Sequence, residues 1–159
     1  ARYLMGDEVE QVYAAAGVMV DPAIGQAGDV DTAIITLHFR SGAIGAIDNS
    51  RRAAYGYDQR VEVFGSKGSA MVRNNTPNSV EISTCDAVST ATPLFFFVER
   101  YTDAYVSEIR DFVAAIREDK PVPVTGWDGR VPVVIGYAAQ KSLREQRPVK
   151  LSEVDPHWT

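Results

Sequence analysis

The sequence is short of cysteine, histidine and long apolar runs, and each shortage excludes a class of protein. Cys85 is the only cysteine, so it has no partner thiol, and neither His38 nor His157 lies near it or near suitably spaced carboxylates. The apolar run at residues 94–98 is far shorter than the roughly 20 residues of a membrane helix. We therefore expect no disulfide, no metal site and no membrane span, as in a protein of the reducing cytoplasm.

A nucleotide-binding glycine loop is also missing. Hydride transfer with a nicotinamide cofactor needs a Gly-x-Gly-x-x-Gly loop between a strand and a helix, whose amides hold the pyrophosphate. The two glycine pairs at residues 42–45 and 65–68 lie in predicted turns between strands, which also excludes a P-loop. We predict that no residue of this chain binds a cofactor.

Length and composition are those of a single globular domain. The 159 residues include 45% hydrophobic and 23% charged residues, which are ordinary values for a protein that buries one core. The net charge of -5 at pH 7 opposes binding to the phosphate backbone of nucleic acids. We expect one domain over residues 1–159 and no nucleic acid among its partners.

Alternating apolar and polar residues predict five or six strands. The pattern is clearest at residues 31–40, where Ala33, Ile35, Leu37 and Phe39 fall on one side. Weaker patterns follow the same rule at residues 9–20, 43–50, 59–64, 69–73 and 80–83. The connections are too short for parallel crossovers, so the sheet should be largely antiparallel.

The period changes to 3.6 residues in the second half of the chain, which predicts two helices. The first begins at about Tyr101 and ends before Pro121, and the second covers residues 130–146. The apolar face of the first helix consists of Tyr105, Ile109, Phe112, Val113 and Ile116. Residues 1–5 resemble the last turn of a further helix, with Gly6 after it. The predicted fold is α+β, an open sheet with helices packed on one face.

The second face of this sheet then needs a cover. Ile34, Ile44, Ala46 and Phe64 would lie on it, and such a face is too apolar to be left to water. We predict a homo-oligomer in which two copies pack sheet to sheet. The phenylalanine run at residues 95–97 is interpreted as a buried connection or an oligomer contact.

Hydrogen-bonding side chains are concentrated at residues 48–58, which form the candidate site for a polyhydroxylated ligand. Tyr57, Tyr55 and Asn49 are the candidate substrate-binding residues. The alternative is that the tyrosines pack across strands and that Asn49 caps a turn. Arg51 is treated, with its neighbour at position 52, as a solvated or interface residue. Asp58 is expected to hold the turn and not to act as a base.

The start of the second helix carries Trp127 and Asp128. Asp128 would favour the positive end of the helix dipole. Trp127 could face a ligand or pack locally at the helix start, and we favour local packing.

Four segments together resemble a known family. They are IDNSRRAAYGYD at residues 47–58, VEVFGSKG at 61–68, WDG at 127–129 and RPVKL at 147–151. In this order they are similar to the C-terminal domain of the dehydrogenase family that includes glucose-fructose oxidoreductase and inositol 2-dehydrogenase. The tyrosine stretch is most similar to bacterial inositol 2-dehydrogenases. The resemblance extends from Leu4 to about Leu151.

The resemblance implies a Rossmann domain, absent from this chain, that precedes it and binds NAD or NADP. In the family that domain carries a lysine, and an aspartate and a histidine on the helix entering the present domain complete removal of the substrate's hydroxyl proton. Residues 1–5 would follow that histidine, so no catalytic residue is assigned to this chain.

The resemblance also implies a function. The intact protein would oxidise a secondary alcohol of a cyclitol to a ketone, as myo-inositol 2-dehydrogenases do, and the chain alone would be inactive. It would provide a substrate-binding wall and an oligomerisation platform in a cytoplasmic homotetramer of inositol catabolism. The alternatives are a dehydrogenase for another sugar or cyclitol, and a non-catalytic dimerisation or binding domain.

Overall fold

The computed structural model of the protein describes residues 1–158, which divide into two compact units. The first unit combines Ala1–Arg52 with the chain from Val124 onwards, and the second is Ala53–Pro123. The elements are, in chain order, α1 (Arg2–Met5), β1 (Val9–Gly17), α2 (Pro22–Gln26), β2 (Thr32–Phe39), β3 (Ile44–Ser50), β4 (Val61–Gly65), β5 (Gly68–Val72), β6 (Glu81–Ser83), β7 (Val88–Thr90), α3 (Phe97–Arg117), α4 (Gly126–Glu145) and β8 (Val149–Lys150).

The first unit is built on a four-stranded antiparallel sheet in the order β3-β2-β1-β8. Strand β2 lies in its middle, with Ile35 opposite Ala14 of β1 and opposite Ile47 of β3. The alternation predicted for β2 is confirmed, since Leu37 is buried and His38 is exposed. One face of the sheet is therefore apolar along its length and requires a covering element.

Helix α4 covers that face because its apolar residues recur at helical spacing. Val131, Val134 and Ala138 are buried on it. Together with the sheet and the C-terminal segment they form one core, made of Val9, Val12, Ala14, Leu37, Phe39, Val131, Val134, Ala138, Ala139, Val149, Leu151 and Trp158. Trp127, for which we favoured local packing, stacks on Trp158 with ring centroids 5.5 Å apart.

The first turn of α4 is fixed by a capping box and an ion pair. The backbone N–H of Thr125 donates to Asp128 Oδ2 at 2.8 Å, and Arg2 Nη1 donates to Asp128 Oδ1 at 2.8 Å. Arg2 Nε also donates to Glu8 at 2.7 Å. The carboxylate lies at the positive end of the helix dipole, as predicted. These contacts tie α1, whose end at Gly6 is confirmed, to the start of α4.

A buried carboxylate shapes the loop after β1. Asp31 is 6% exposed and accepts hydrogen bonds from the backbone N–H groups of Met19 (2.8 Å), Val20 (2.8 Å) and Asp21 (2.9 Å). Burial raises the pKa of the Asp31 carboxyl, but these bonds and that from Thr32 outweigh burial and bring the pKa to about 2. The loop leads into α2, which the sequence did not predict because five residues are too few for a periodic pattern.

The face of the sheet opposite α4 is exposed or half-buried, and we call it the outer face. Alternate residues of three strands form it: Tyr13, Ala15, Ile34, Thr36, His38, Ile44, Ala46 and Asp48. The exposed fraction is 54% for Ile34 and 74% for Ile44. Both isoleucines and Ala46 lie where the alternation predicted.

The second unit consists of two β-hairpins and helix α3. Strand β4 pairs with β5, and β6 pairs with β7, both antiparallel. Among the described residues of this unit, only Gly56 and Ala115 are buried. The predicted apolar face of α3 is 45% to 64% exposed along its length; its residues are Tyr105, Ile109, Phe112, Val113 and Ile116.

The α+β class and the antiparallel pairing are confirmed, but the single open sheet is wrong in detail. Within residues 1–158 the strands divide into one sheet of four and two hairpins. Short turns dictate which neighbours pair, but they do not dictate whether one hairpin continues the next. Phe64 consequently lies in the β4–β5 hairpin and is 85% exposed. Helix α3 likewise belongs to the second unit.

Two further expectations concern apolar segments. Residues 95–97 are exposed, which removes the interpretation as a buried connection. In the part of the chain that the structure describes, none of the helices is both long and apolar enough to cross a lipid bilayer.

Candidate functional site

The tyrosine turn, residues 55–60, has a backbone fixed by contacts at Gly56 and Tyr57. Gly56 has a φ of +135° and is buried, and a Cβ atom placed there would lie 2.7 Å from the carbonyl oxygen of Pro93. The backbone N–H of Tyr57 donates to the carbonyl of Leu94 at 2.8 Å. Only glycine permits this close approach of the two chain segments.

Asp58 holds the side chains of the turn together. Its carboxylate accepts hydrogen bonds from Arg60 Nε at 2.8 Å, from the Tyr55 hydroxyl, and from Asn74 Nδ2 at 2.7 Å. The bonds from Arg60, Tyr55 and Asn74, in that order, lower the pKa of Asp58 to about 2. The same bond to Asp58 raises the pKa of the Tyr55 phenol. Asp58 thus holds an arginine and an amide side chain, which is the structural role that we expected of it.

Tyr57 lies at the surface of its unit, with its ring packed on a second tyrosine. Its side chain is 36% exposed, and its ring meets Tyr101 edge to face, with centroids 5.6 Å apart and planes at 83°. The Tyr101 hydroxyl donates to Gln59 Oε1 at 2.7 Å. Burial and a side-chain hydrogen bond to Tyr57 raise the pKa of Tyr101. The Tyr57 side chain is therefore partly exposed and lies beside the Tyr101 ring.

The third candidate, Asn49, lies in the other unit. It is exposed near the end of β3, and Arg51 and Arg52 follow it, also exposed. The sequence grouped Asn49 with Tyr55 and Tyr57 because they are close along the chain. The structure assigns Asn49 to the first unit and both tyrosines to the second.

Sequence reasoning missed the neighbours of Tyr57. The sequence pattern places Tyr101 at the start of a helix and Gln59 in a strand, and it does not indicate that the two are in contact. The two are 42 residues apart along the chain, and no local pattern connects a helix to a turn at that separation. The sequence signal that remained was that Tyr101 and Tyr105 are one helical turn apart, and their rings do contact at 6.2 Å.

The glycine pairs of residues 42–45 and 65–68 lie in or beside turns between strands, and neither opens a helix in the described part of the chain. Gly65 and Gly68 face each other across the β4–β5 turn, and Gly42 lies in the β2–β3 turn, as predicted. At the start of α4, the backbone N–H groups of Thr125 and Asp128 are occupied by the capping box. Among residues 1–158, no three or more His, Cys, Asp or Glu side chains are grouped so as to hold a metal ion.

The arrangement suits recognition of a polyol. A phenol can both donate and accept a hydrogen bond, and a tyrosine ring packs against the C–H face of a saturated ring. The fixed backbone at Gly56 means that little ordering is required when a ligand binds.

Comparison with known proteins gives consistent matches over nearly the whole chain. The family model described as the oxidoreductase family, C-terminal alpha/beta domain, matches residues 1–151. A myo-inositol 2-dehydrogenase of Thermotoga maritima is 51% identical over 154 residues, which is 97% of this chain and 46% of that protein. A scyllo-inositol 2-dehydrogenase (NAD(+)) of Bacillus subtilis is 34% identical over 95% of this chain and 44% of that protein.

A solved structure agrees with the fold. The crystal structure of a probable dehydrogenase from Thermotoga maritima matches with a TM-score of 0.94 and 51% identity, over 96% of this chain and 46% of that one. The chain therefore spans about half the length of the relatives that it matches.

Proposed function

The chain belongs to the C-terminal alpha/beta domain of the oxidoreductase family, and from this membership we propose that it is the substrate-binding domain of a dehydrogenase that oxidises a secondary hydroxyl of a cyclitol to a ketone. The observation that carries the proposal is the 51% identity to a myo-inositol 2-dehydrogenase across 97% of the chain. Myo-inositol is the proposed substrate.

The proposed cofactor is NAD, bound by a part of the intact protein outside this chain. The scyllo-inositol 2-dehydrogenase that is 34% identical to this chain carries NAD(+) in its name, which supports NAD over NADP. When bound, the cofactor would accept the hydride, and the hydroxyl proton would be taken by residues outside this chain, as the family resemblance implies. The proposed location of the intact enzyme is the cytoplasm.

The work of this chain is to bind and orient the substrate ring. We propose that the Tyr57 phenol exchanges a hydrogen bond with a ring hydroxyl while its aromatic face packs on the ring. The hydroxyl of Tyr55 is engaged by Asp58, so its proposed contribution is its half-exposed ring. The amide of Asn49 is proposed as a further hydrogen-bond donor to the substrate.

The test is steady-state kinetics of the intact protein that carries this chain, with Tyr57→Phe. Loss of one hydrogen bond should raise the KM for myo-inositol about five- to tenfold and leave the KM for NAD unchanged. Tyr137→Phe, which makes the same change on the exposed side of α4, is the matched control. Unchanged KM and kcat with Tyr57→Phe would contradict a contact at this residue.

A second substrate has specific support, because one relative is named for scyllo-inositol. The two cyclitols differ in the orientation of one hydroxyl, so the pocket must distinguish them by hydrogen bonding. Measuring kcat/KM for a panel of cyclitols and sugars decides between them. A higher kcat/KM for scyllo-inositol would replace myo-inositol as the substrate and leave the reaction class unchanged.

We also propose that the intact protein is a homo-oligomer formed through the outer face. Ile34 and Ile44 are large and exposed there, and the strands on either side add small residues such as Ala46. A sheet face with large exposed apolar residues can pack on the same face of a second copy across a two-fold axis.

A further inference from the structure

Within its own unit, the Tyr101 side chain contacts four other residues. Its ring edge meets Tyr57 at 5.6 Å and its ring contacts Tyr105 at 6.2 Å. The guanidinium carbon of Arg100 lies 5.4 Å from the centre of the Tyr101 ring, within the range of a cation–π interaction. The Tyr101 hydroxyl also donates a hydrogen bond to Gln59 at 2.7 Å. The side chain is therefore held both by its ring contacts and by its hydroxyl.

The main chain of Tyr57 is fixed by the bond to Leu94 and the tight passage at Gly56, which leaves two side-chain torsions. Its side chain contacts Tyr101 twice, through the edge-to-face ring contact and through a side-chain hydrogen bond. The direction of the Tyr57 phenol therefore depends on where the Tyr101 ring stands.

We infer that Tyr101 is a positioning residue, anchored by Gln59, that sets the direction in which Tyr57 presents its phenol to the substrate. The inference rests on the proposed contact between Tyr57 and a cyclitol. Tyr101 needs no substrate contact of its own in this scheme, because its effect passes through the Tyr57 ring.

Two substitutions separate the parts of the Tyr101 side chain. Tyr101→Leu removes the ring, so Tyr57 should sample additional rotamers. Tyr101→Phe keeps the edge-to-face contact and loses only the hydrogen bonds of the hydroxyl, to Gln59 and with Tyr57. Tyr101→Phe should therefore restore most of what Tyr101→Leu loses. Tyr137→Leu removes an exposed tyrosine ring elsewhere and serves as the control.

The first measurement is the ring NMR signal of Tyr57 in the intact protein, with selectively labelled tyrosine, assigned by its disappearance in Tyr57→Phe. Tyr101→Leu should shift and broaden this signal, and Tyr101→Phe should leave it near its original position. A Tyr57 signal that is unchanged in Tyr101→Leu would overturn the inference, while the proposed contact of Tyr57 with substrate would still stand.

The second measurement is a double-mutant cycle in the kinetics of the intact protein. Tyr101→Leu should raise the KM for myo-inositol about five- to tenfold with the KM for NAD unchanged. In the Tyr57→Phe background the same change should add less than about twofold, because its effect passes through the missing phenol. Fully additive effects would overturn the inference. If Tyr57→Phe alone changes nothing, the proposed contact fails, and this role for Tyr101 fails with it.

Discussion

At the scale of single residues, two carboxylates hold loops by accepting several hydrogen bonds each. Asp31 binds three consecutive backbone N–H groups, and Asp58 binds side chains of Tyr55, Arg60 and Asn74. An ionised carboxylate can accept at all these positions and donates at none. The pKa of each is about 2, so both remain charged at neutral pH.

We predict that Asp31→Asn lowers the thermal stability of the protein. The amide NH₂ group would face backbone N–H groups that need an acceptor, so at least one buried donor would lose its partner. The expected decrease in Tm is about 5 °C, measured by circular dichroism. Asp103→Asn makes the same change on the exposed surface of α3 and should alter Tm by about 1 °C or less. Equal Tm values for the two variants would contradict the role of Asp31.

The pH dependence of stability gives an independent prediction for the same residue. The Asp31 pKa is about 2 in the folded protein, below the unfolded value of about 3.9, so its contribution is fully present above pH 4. That contribution is lost as the pH falls from about 4 through about 2. Melting curves across this interval should show a steeper decline in Tm for the unsubstituted protein than for Asp31→Asn. If Tm falls equally in both proteins, other carboxylates cause the acid sensitivity.

At the scale of elements, the tyrosine turn depends on one glycine. Gly56 combines a positive φ with a carbonyl oxygen where its Cβ would have to stand, so a side chain is excluded for two separate reasons. The neighbouring peptide carries the hydrogen bond from Tyr57 to Leu94. The turn is therefore held against the segment at residues 93–94.

We predict that Gly56→Ala destabilises the protein by about 2 kcal/mol and raises the KM for myo-inositol in the intact enzyme. Gly136 lies in the middle of α4 with nothing within 4 Å of a Cβ, so Gly136→Ala should instead stabilise by about 0.5–1 kcal/mol. Urea denaturation of both variants measures the difference. Similar stabilities would mean that the segments at Gly56 separate at little cost.

The elements also show how far a sequence pattern reaches. Alternation predicted β2 and its buried side correctly, because Leu37 and His38 obey a rule that acts between adjacent residues. It could not predict that β4–β5 stands apart from the main sheet, since strand order depends on contacts distant along the chain. The same limit applies to the site. The role of Tyr57 stays a prediction from the sequence, and its contact with Tyr101 depends on a part of the fold that no local pattern indicates.

At the scale of the whole molecule, the exposed apolar surface is large on both units. The outer face of the first unit and the apolar face of α3 are both solvent-exposed in the single chain. Such surfaces normally contact a partner. The outer face is the one that we propose packs on a second copy, because Ile34 and Ile44 are exposed on it.

We predict that Ile44→Lys converts the intact protein to a smaller oligomer or a monomer. A lysine within a sheet-to-sheet contact would bury an unpaired charge. Light scattering coupled to size exclusion measures the change in mass over a range of concentrations. Val133→Lys places the same charge at an exposed apolar position on α4 and should leave the mass unchanged. A monomeric parent protein at high concentration would exclude the oligomer.

The tyrosine turn has a consequence for how this domain could acquire new specificities. Its main chain is fixed at position 56, while the side chains at 55 and 57 are 50% and 36% exposed. A gene library that randomises residue 57 but keeps the glycine would therefore change a proposed substrate contact without altering the residue that fixes the backbone. The proposed contact and the residue that fixes its main chain are neighbours in the sequence but can be varied separately.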